Sequence, residues 1–230
     1  MYVLGLETSG ALCSAGLVDA EGVLAARAVR GLRRHSVYLL DLVASVLADA
    51  GLGLEDLGGI AVGLGPGSFT GLRIGAAVAR TLAQVRGIPA VGVGTLDALA
   101  HPLGRFAAYV CTVTVARRDE VYMALYRGGP GGPQRFHGPV ALRPGEVTVH
   151  LEGLEGRVVV VGDAAPRYHQ VWRARAGEKV ILAPAGLHLP RGETVAEMAL
   201  ARLRAGEGGD PLFLQPVYVN PPAVRLPEQG

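Results

Sequence analysis

The residues best placed to do chemistry lie in one stretch, Gly63-Leu64-Gly65-Pro66-Gly67-Ser68-Phe69-Thr70-Gly71-Leu72-Arg73-Ile74-Gly75. It follows an apolar run, Gly59-Ile60-Ala61-Val62, that reads as a buried strand. It precedes a run from Leu72 to Arg86 with helical character. The stretch is therefore a strand-to-helix turn rich in glycine, which permits positive φ and close backbone approach. Pro66 presets a turn, and Ser68 and Thr70 can cap the coming helix. Such a loop either holds an anion at the helix N-terminus or makes a tight packing turn. A second polar turn, Glu7-Thr8-Ser9-Gly10, is of the kind that admits a phosphate. A third, Arg117-Arg118-Asp119-Glu120, reads as a solvated hairpin tip or as a contact to phosphate or RNA.

Other chemistries lack their residues. The histidines, at 35, 101, 137, 150, 169 and 188, include no pair three or four apart, and there is no H-E-x-x-H and no cysteine pair, so no metal site is expected. Gly65-Pro66-Gly67-Ser68 lacks the G-x-S-x-G order of a nucleophile elbow. The single lysine, Lys179, lies outside any G-x-x-x-x-G-K-[ST], which excludes a P-loop.

The elements that must position these turns follow from periodicity. The chain has 230 residues, half of them hydrophobic, and a net charge of +2. That suits one large or two small globular domains and makes no global case for nucleic-acid binding. Cys13 and Cys111 sit in apolar runs and are expected to be reduced core residues. The start, Met1 to Val18, carries Glu7 and no basic segment, so no signal peptide is expected. No apolar run reaches membrane-span length, and a soluble, cytoplasmic chain is expected.

Tyr2–Leu6, Cys13–Val18 and Val23–Val29 read as an antiparallel meander. Ser36 is the expected N-cap of a helix over Val37–Ala50. That helix has a wide apolar face carrying Val37, Leu40, Ala44 and Leu47, with Leu39, Val43 and Val46 beside them, and Gly51 ends it. In the helix after the glycine loop, Gly71, Gly75, Ala79 and Ala83 recur four apart, a small-residue stripe open either to a partner helix or to the chain's own sheet. Ala90–Val93 is a further strand and Thr95–Ala100 a short helix. The alternation implies a parallel portion with right-handed crossovers, an α/β layer with an antiparallel edge. After Pro102-Leu103-Gly104 come strands at Tyr109–Val115 and Val121–Tyr126, a loop over Arg127–Gly138, a strand at Val158–Val161 closing on Gly162-Asp163, and a helix over Thr194–Arg204. From Gly208 the proline-rich tail is expected to be irregular. The second half loosely repeats the first, as in an ancient duplication.

The residues Glu7-Thr8-Ser9, Cys13-Ser14-Ala15, Arg34-His35-Ser36, the string Gly65-Pro66-Gly67-Ser68-Phe69-Thr70-Gly71-Leu72-Arg73-Ile74-Gly75, Gly87-Ile88-Pro89, and Arg117-Arg118 with Glu120-Val121-Tyr122 resemble the TsaB (YeaZ) family in order and spacing over roughly the first 126 residues. The resemblance implies an α/β, actin-like fold of the ASKHA type: two similar lobes, each a mixed sheet flanked by helices. The lobes are expected at 1–103 and 104–230, with a C-terminal segment packing back on the first. It implies a scaffold or activating subunit, not an enzyme, required for N6-threonylcarbamoyladenosine at tRNA position 37. The implied partners are the catalytic paralogue TsaD and the ATPase TsaE, with a homodimer in isolation and tRNA reached through the complex. No cofactor and no membrane contact are implied.

The resemblance also places the partner interface on Ser36–Ala50 and Thr70–Arg86, hence on Leu40, Ala44, Leu47, Gly71, Gly75, Ala79 and Ala83. The fold's phosphate and nucleotide loops fall on Glu7, Thr8 and Ser9 and on Gly162 and Asp163, in degenerate form. Where the fold's enzymes carry Asp after the first strand, this chain has Glu7. Where they carry a Gly-Gly pair, it has Gly162-Asp163. The catalytic paralogue's metal-binding H-x-x-x-H is absent, since Leu39 stands four residues after His35. The alternatives are a stand-alone ATPase or kinase of this fold and the metallopeptidase class under which relatives were formerly labelled.

Overall fold

The computed structural model describes residues 1–31, 35–117 and 119–219. The chain runs β1 (Tyr2–Glu7), β2 (Leu12–Val18), β3 (Val23–Arg30), α1 (His35–Ala50), β4 (Leu57–Gly63), α2 (Phe69–Arg86), β5 (Ala90–Val93) and α3 (Thr95–Ala100). It continues β6 (Tyr109–Val115), β7 (Val121–Arg127), β8 (Gln134–Leu142), α4 (Val147–Glu152), β9 (Val158–Val161), α5 (Ala165–Ala176), β10 (Val180–Leu182) and α6 (Gly192–Arg204).

Two five-stranded sheets result, with orders β3-β2-β1-β4-β5 and β10-β9-β6-β7-β8. Read in reverse, as β8-β7-β6-β9-β10, the second order repeats the first. In each half an antiparallel meander leads into parallel strands joined through helices. The loose repeat of hairpin, strand and helix in the sequence is thus a repeat of topology.

The helices after each half are exchanged between the sheets. The residues Leu96, Leu99 and Ala100 of α3 pack with Val110, Tyr126 and Val161 of the second sheet. Val195, Ala196 and Ala199 of α6 pack with Val3, Ala61 and Val91 of the first. Two strand glycines permit this approach: a Cβ at Gly5 would overlap the Gly192 carbonyl oxygen, and one at Gly16 the Glu193 backbone. The Gly192 N–H donates to Ser14 Oγ at 2.9 Å, which fixes the start of α6 on β2.

Several local expectations change. Ser36 lies within α1, not before it, and its side chain is outside the described residues. Arg34 and Arg118 also lie outside them. The glycine- and proline-rich segment from Arg127 is not loop throughout, because Gln134–Leu142 pairs with β7 as an edge strand. Edge position tolerates its Pro139, since a strand there has one side free of ladder bonds. Two short helices, α4 and α5, and strand β10 complete the second lobe where periodicity gave no sign of them. Cys13 and Cys111 are buried as expected.

Candidate functional site

The two turns singled out in the first half meet at the carboxyl end of the first sheet. β1 ends on Glu7, and Leu6 pairs with Val62 of β4, so both strands deliver their following turns side by side. The Ser68 N–H donates to the Ser9 carbonyl at 2.7 Å, and Thr8 Oγ1 donates to the Gly71 carbonyl at 2.8 Å. Ser68 caps α2, its Oγ accepting from the Gly71 N–H at 3.2 Å. A Cβ at Gly67 would overlap the Ser9 carbonyl, and one at Gly71 the Thr8 carbonyl. The glycines therefore serve backbone approach: the loop lies directly on the Glu7–Ser9 turn. Of the two readings of the loop, the structure carries the packing turn.

Glu7 lies beneath this contact, fully buried. One carboxylate oxygen accepts the Ser9 N–H, and Oε2 has no hydrogen-bond partner among the described residues. Burial raises its carboxyl above the ordinary value of 4.5, against the opposing pull of hydrogen bonds from Ser9 and Thr8. A carboxyl so placed holds its proton more readily than an exposed one.

In the second lobe Asp163 is also committed to structure. Its Oδ1 accepts the Val115 N–H at 2.8 Å, closing the end of β6, and the Gly162 N–H meets His188 Nδ1 at 3.3 Å. Gly162 has φ +118°, and a Cβ there would overlap the Val113 carbonyl. Burial raises the Asp163 carboxyl, while backbone N–H groups led by Val115 oppose the rise.

The interface residues named from the sequence do not share one surface. Gly71, Gly75, Ala79 and Ala83 are all buried. Gly75 faces Thr8 Oγ1 and Val62, and Ala79 and Ala83 sit in the core with Leu4, Leu6 and Ile60. The stripe packs α2 onto its own sheet, and its placement at a partner interface is corrected here. The physical reason is distance: small residues let α2 approach β1 and β4 closely, which leaves no room for a second helix on that side. Leu47 is likewise buried, among Leu42, Val43 and Val46.

Leu40 and Ala44 do face outward, with Leu40 53% and Val37 59% exposed. On α2 the exposed positions are Thr70, Arg73, Ala77, Thr81, Gln84 and Val85, the last 76% exposed. Ile74, Val78 and Leu82 are half-buried beside the core, and α1 touches α2. The two helices thus present an outward surface on which Val37, Leu40, Ala44, Ala77 and Val85 stand among polar side chains. The 3.6-residue period offered a signal for it, because Ala77, Thr81 and Val85 lie opposite the glycine stripe, but that period does not say which side faces in.

The arrangement is matched among known proteins. The family model described as TsaD, tRNA N6-adenosine threonylcarbamoyltransferase, matches residues 26–207. The tRNA threonylcarbamoyladenosine biosynthesis protein TsaB of Escherichia coli (strain K12) is 31% identical over 226 residues, covering 96% of this chain and 95% of its own. The chain belongs to the TsaB (YeaZ) family. TsaB of Bacillus subtilis (strain 168) is 29% identical over 220 residues, 96% of this chain and 94% of its own. The solved structure of YeaZ from Pseudomonas aeruginosa superposes with a TM-score of 0.79 at 29% identity, covering 94% of this chain and 99% of that one. A ROK hexokinase from Thermus thermophilus, at a TM-score of 0.52 and 17% identity over 89% of this chain and all of its own, shares the actin-like fold alone.

In this TsaB-family chain the Glu7–Ser9 turn and the Gly162-Asp163 turn are both held by hydrogen bonds within the chain. Among the described residues no group of three or more His, Cys, Asp or Glu is disposed to hold a metal. No helix among them is long and apolar enough to cross a membrane.

Proposed function

We propose that this chain is a non-catalytic subunit in the synthesis of N6-threonylcarbamoyladenosine at tRNA position 37. Membership of a family named for tRNA threonylcarbamoyladenosine biosynthesis supplies the coarse role. The finer reading is that the outward face of α1 and α2 docks onto a TsaD-like catalytic paralogue, and that a TsaE-like ATPase joins the pair. tRNA is reached through the complex, and the work is done in the cytoplasm. In isolation the same face pairs two copies of the chain.

One observation carries the docking site. Val37, Leu40 and Ala44 are exposed on α1, and Ala77 and Val85 on α2, two helices that touch each other and that the first sheet supports from behind. The Glu7–Ser9 turn, with Thr8 and Ser9 bonded to the glycine loop, favours a scaffold over a stand-alone ATPase.

Co-purification with the catalytic paralogue, followed by a tRNA modification assay with and without this chain, tests the reading. Replacing both outward residues, Leu40→Arg with Ala44→Arg, is expected to abolish co-purification and modification while the variant unfolds within about 0.5 kcal/mol of the parent, as surface changes do. An intact complex with that variant would remove α1 from the interface. ATP turnover by the isolated chain would overturn the non-catalytic reading.

A further inference from the structure

The segment after α6 is tied to both lobes. It leaves the first sheet through a two-way bridge between Gly209 and Ala90, each N–H donating to the other's carbonyl at 3.2 Å. Asp210 caps the single turn Pro211–Phe213 by accepting the Leu212 N–H at 2.9 Å. Leu214 then enters the first lobe's core. The Val217 N–H donates to the Leu64 carbonyl at 2.7 Å, and the Val217 carbonyl lies 2.9 Å from where a Cβ on Gly65 would stand. The Tyr218 ring meets Phe69 with centroids 5.4 Å apart, and the Arg73 guanidinium lies 3.8 Å from the centre of that Phe69 ring. Val219 packs against the cluster that joins α3 to the second sheet.

Leu64 and Gly65 stand just beyond the carboxyl end of β4, where Leu64 N–H reaches the Val93 carbonyl and the Thr95 N–H reaches the Gly65 carbonyl, both at 2.8 Å. In open α/β sheets the crevice outside the strands' carboxyl ends is where ligands bind. Here the chain's own backbone lies across it. In six residues the segment passes from Leu214, in the core of the first lobe, to Val219, half-buried against the cluster that joins α3 to the second sheet. A flexible tail gains nothing by such a path unless its contacts repay the ordering of each residue.

We infer that residues 210–219 are a strap that closes this crevice and fixes the glycine loop, and with it the start of α2, against both lobes. The strap acts on the loop through Val217 and Tyr218, and on the lobes through Leu214 and Val219. Its release would free the loop and loosen one lobe against the other. The inference is read from exchange and distances within the chain, and so stands or falls separately from the docking proposal.

The test uses two variants of the full-length chain. One ends at Gln215, which keeps the Leu214 anchor and removes the crossing. The other is Val217→Pro, which keeps every residue but deletes the donor to Leu64. Amide hydrogen exchange is read at Ser68, whose N–H bonds Ser9, and spin–spin distances are read between Ala77→Cys on α2 and Ala174→Cys on α5, both exposed positions. The native Cys13 and Cys111 are buried and shielded from labelling. In both variants exchange at Ser68 is expected to quicken at least about tenfold, and the distance distribution to broaden. If the shortened chain does not fold, Val217→Pro decides. Unchanged exchange and distances in a folded variant would overturn the strap.

Discussion

Replacing Gly71 by alanine puts one methyl group where the structure has none to spare. Gly71 sits in the first turn of α2, its N–H on Ser68 Oγ and its carbonyl on Thr8 Oγ1. The added Cβ would overlap the Thr8 carbonyl oxygen, which is backbone of the β1 turn and cannot swing aside as a side chain can. Relief requires α2 to draw back from the Glu7–Ser9 turn. That lengthens the Thr8–Gly71 and Ser68–Ser9 hydrogen bonds and uncovers the buried Glu7. Overpacking of this kind costs about 1–3 kcal/mol, and each loosened hydrogen bond adds about 1 kcal/mol. Alanine's better helix propensity returns at most about 1 kcal/mol. The net expectation is a loss of about 2–4 kcal/mol, and a chain of this size loses about 2–4 °C in Tm per kcal/mol. Thermal unfolding of the isolated chain followed by circular dichroism measures it, with Ala174→Leu on the exposed side of α5 as the control within about 0.5 kcal/mol of the parent. If Gly71→Ala melts with the parent, the stripe does not pack inward and its assignment to a partner returns.

Two further outcomes follow from buried groups. Glu7 titrates higher folded than unfolded because burial outweighs its hydrogen bonds, so the folded chain keeps a proton that the unfolded chain has released. Its contribution is therefore most favourable below the unfolded value and declines as pH rises toward the folded one. Glu7→Gln keeps an acceptor for Ser9 and cannot ionise, so the variant should gain on the parent as pH rises from about 5 to about 8 in urea unfolding; parallel pH profiles would contradict this. Trp172, the only tryptophan, is buried in the second lobe and donates from Nε1 to the Pro144 carbonyl at 2.7 Å. Trp172→Phe is expected to cost about 1–3 kcal/mol by stranding that carbonyl, read by circular dichroism since the fluorophore is gone; a change below about 0.5 kcal/mol would show that α5 is held by other contacts.

The sequence by itself determined the element types that rest on local period and turn chemistry. The meander of Tyr2–Leu6, Cys13–Val18 and Val23–Val29 appears as β1 to β3, and Ser68 caps the helix after the glycine loop. The string from Gly65 to Gly75 was specific enough to point to the family. It did not say what its glycines approach. Thr8 is 63 residues from Gly71, and a contact over that separation leaves no mark on local spacing. The edge strand at Gln134–Leu142 was hidden for a related reason: glycine and proline weaken strand propensity, and only pairing with β7 overrides them.

Only the tertiary structure decided which side of each helix faces in. Along α1 apolar residues occur nearly all round, so no single stripe marks the core. The sheet draws Leu39, Leu42, Val43, Val46 and Leu47 inward and leaves Val37, Leu40 and Ala44 outside. On α2 a stripe of small residues permits close approach by a foreign helix or by the chain's own strands with equal ease. β1 and β4 already occupy that side, and the surface left for a partner is the opposite one, at Ala77, Thr81 and Val85.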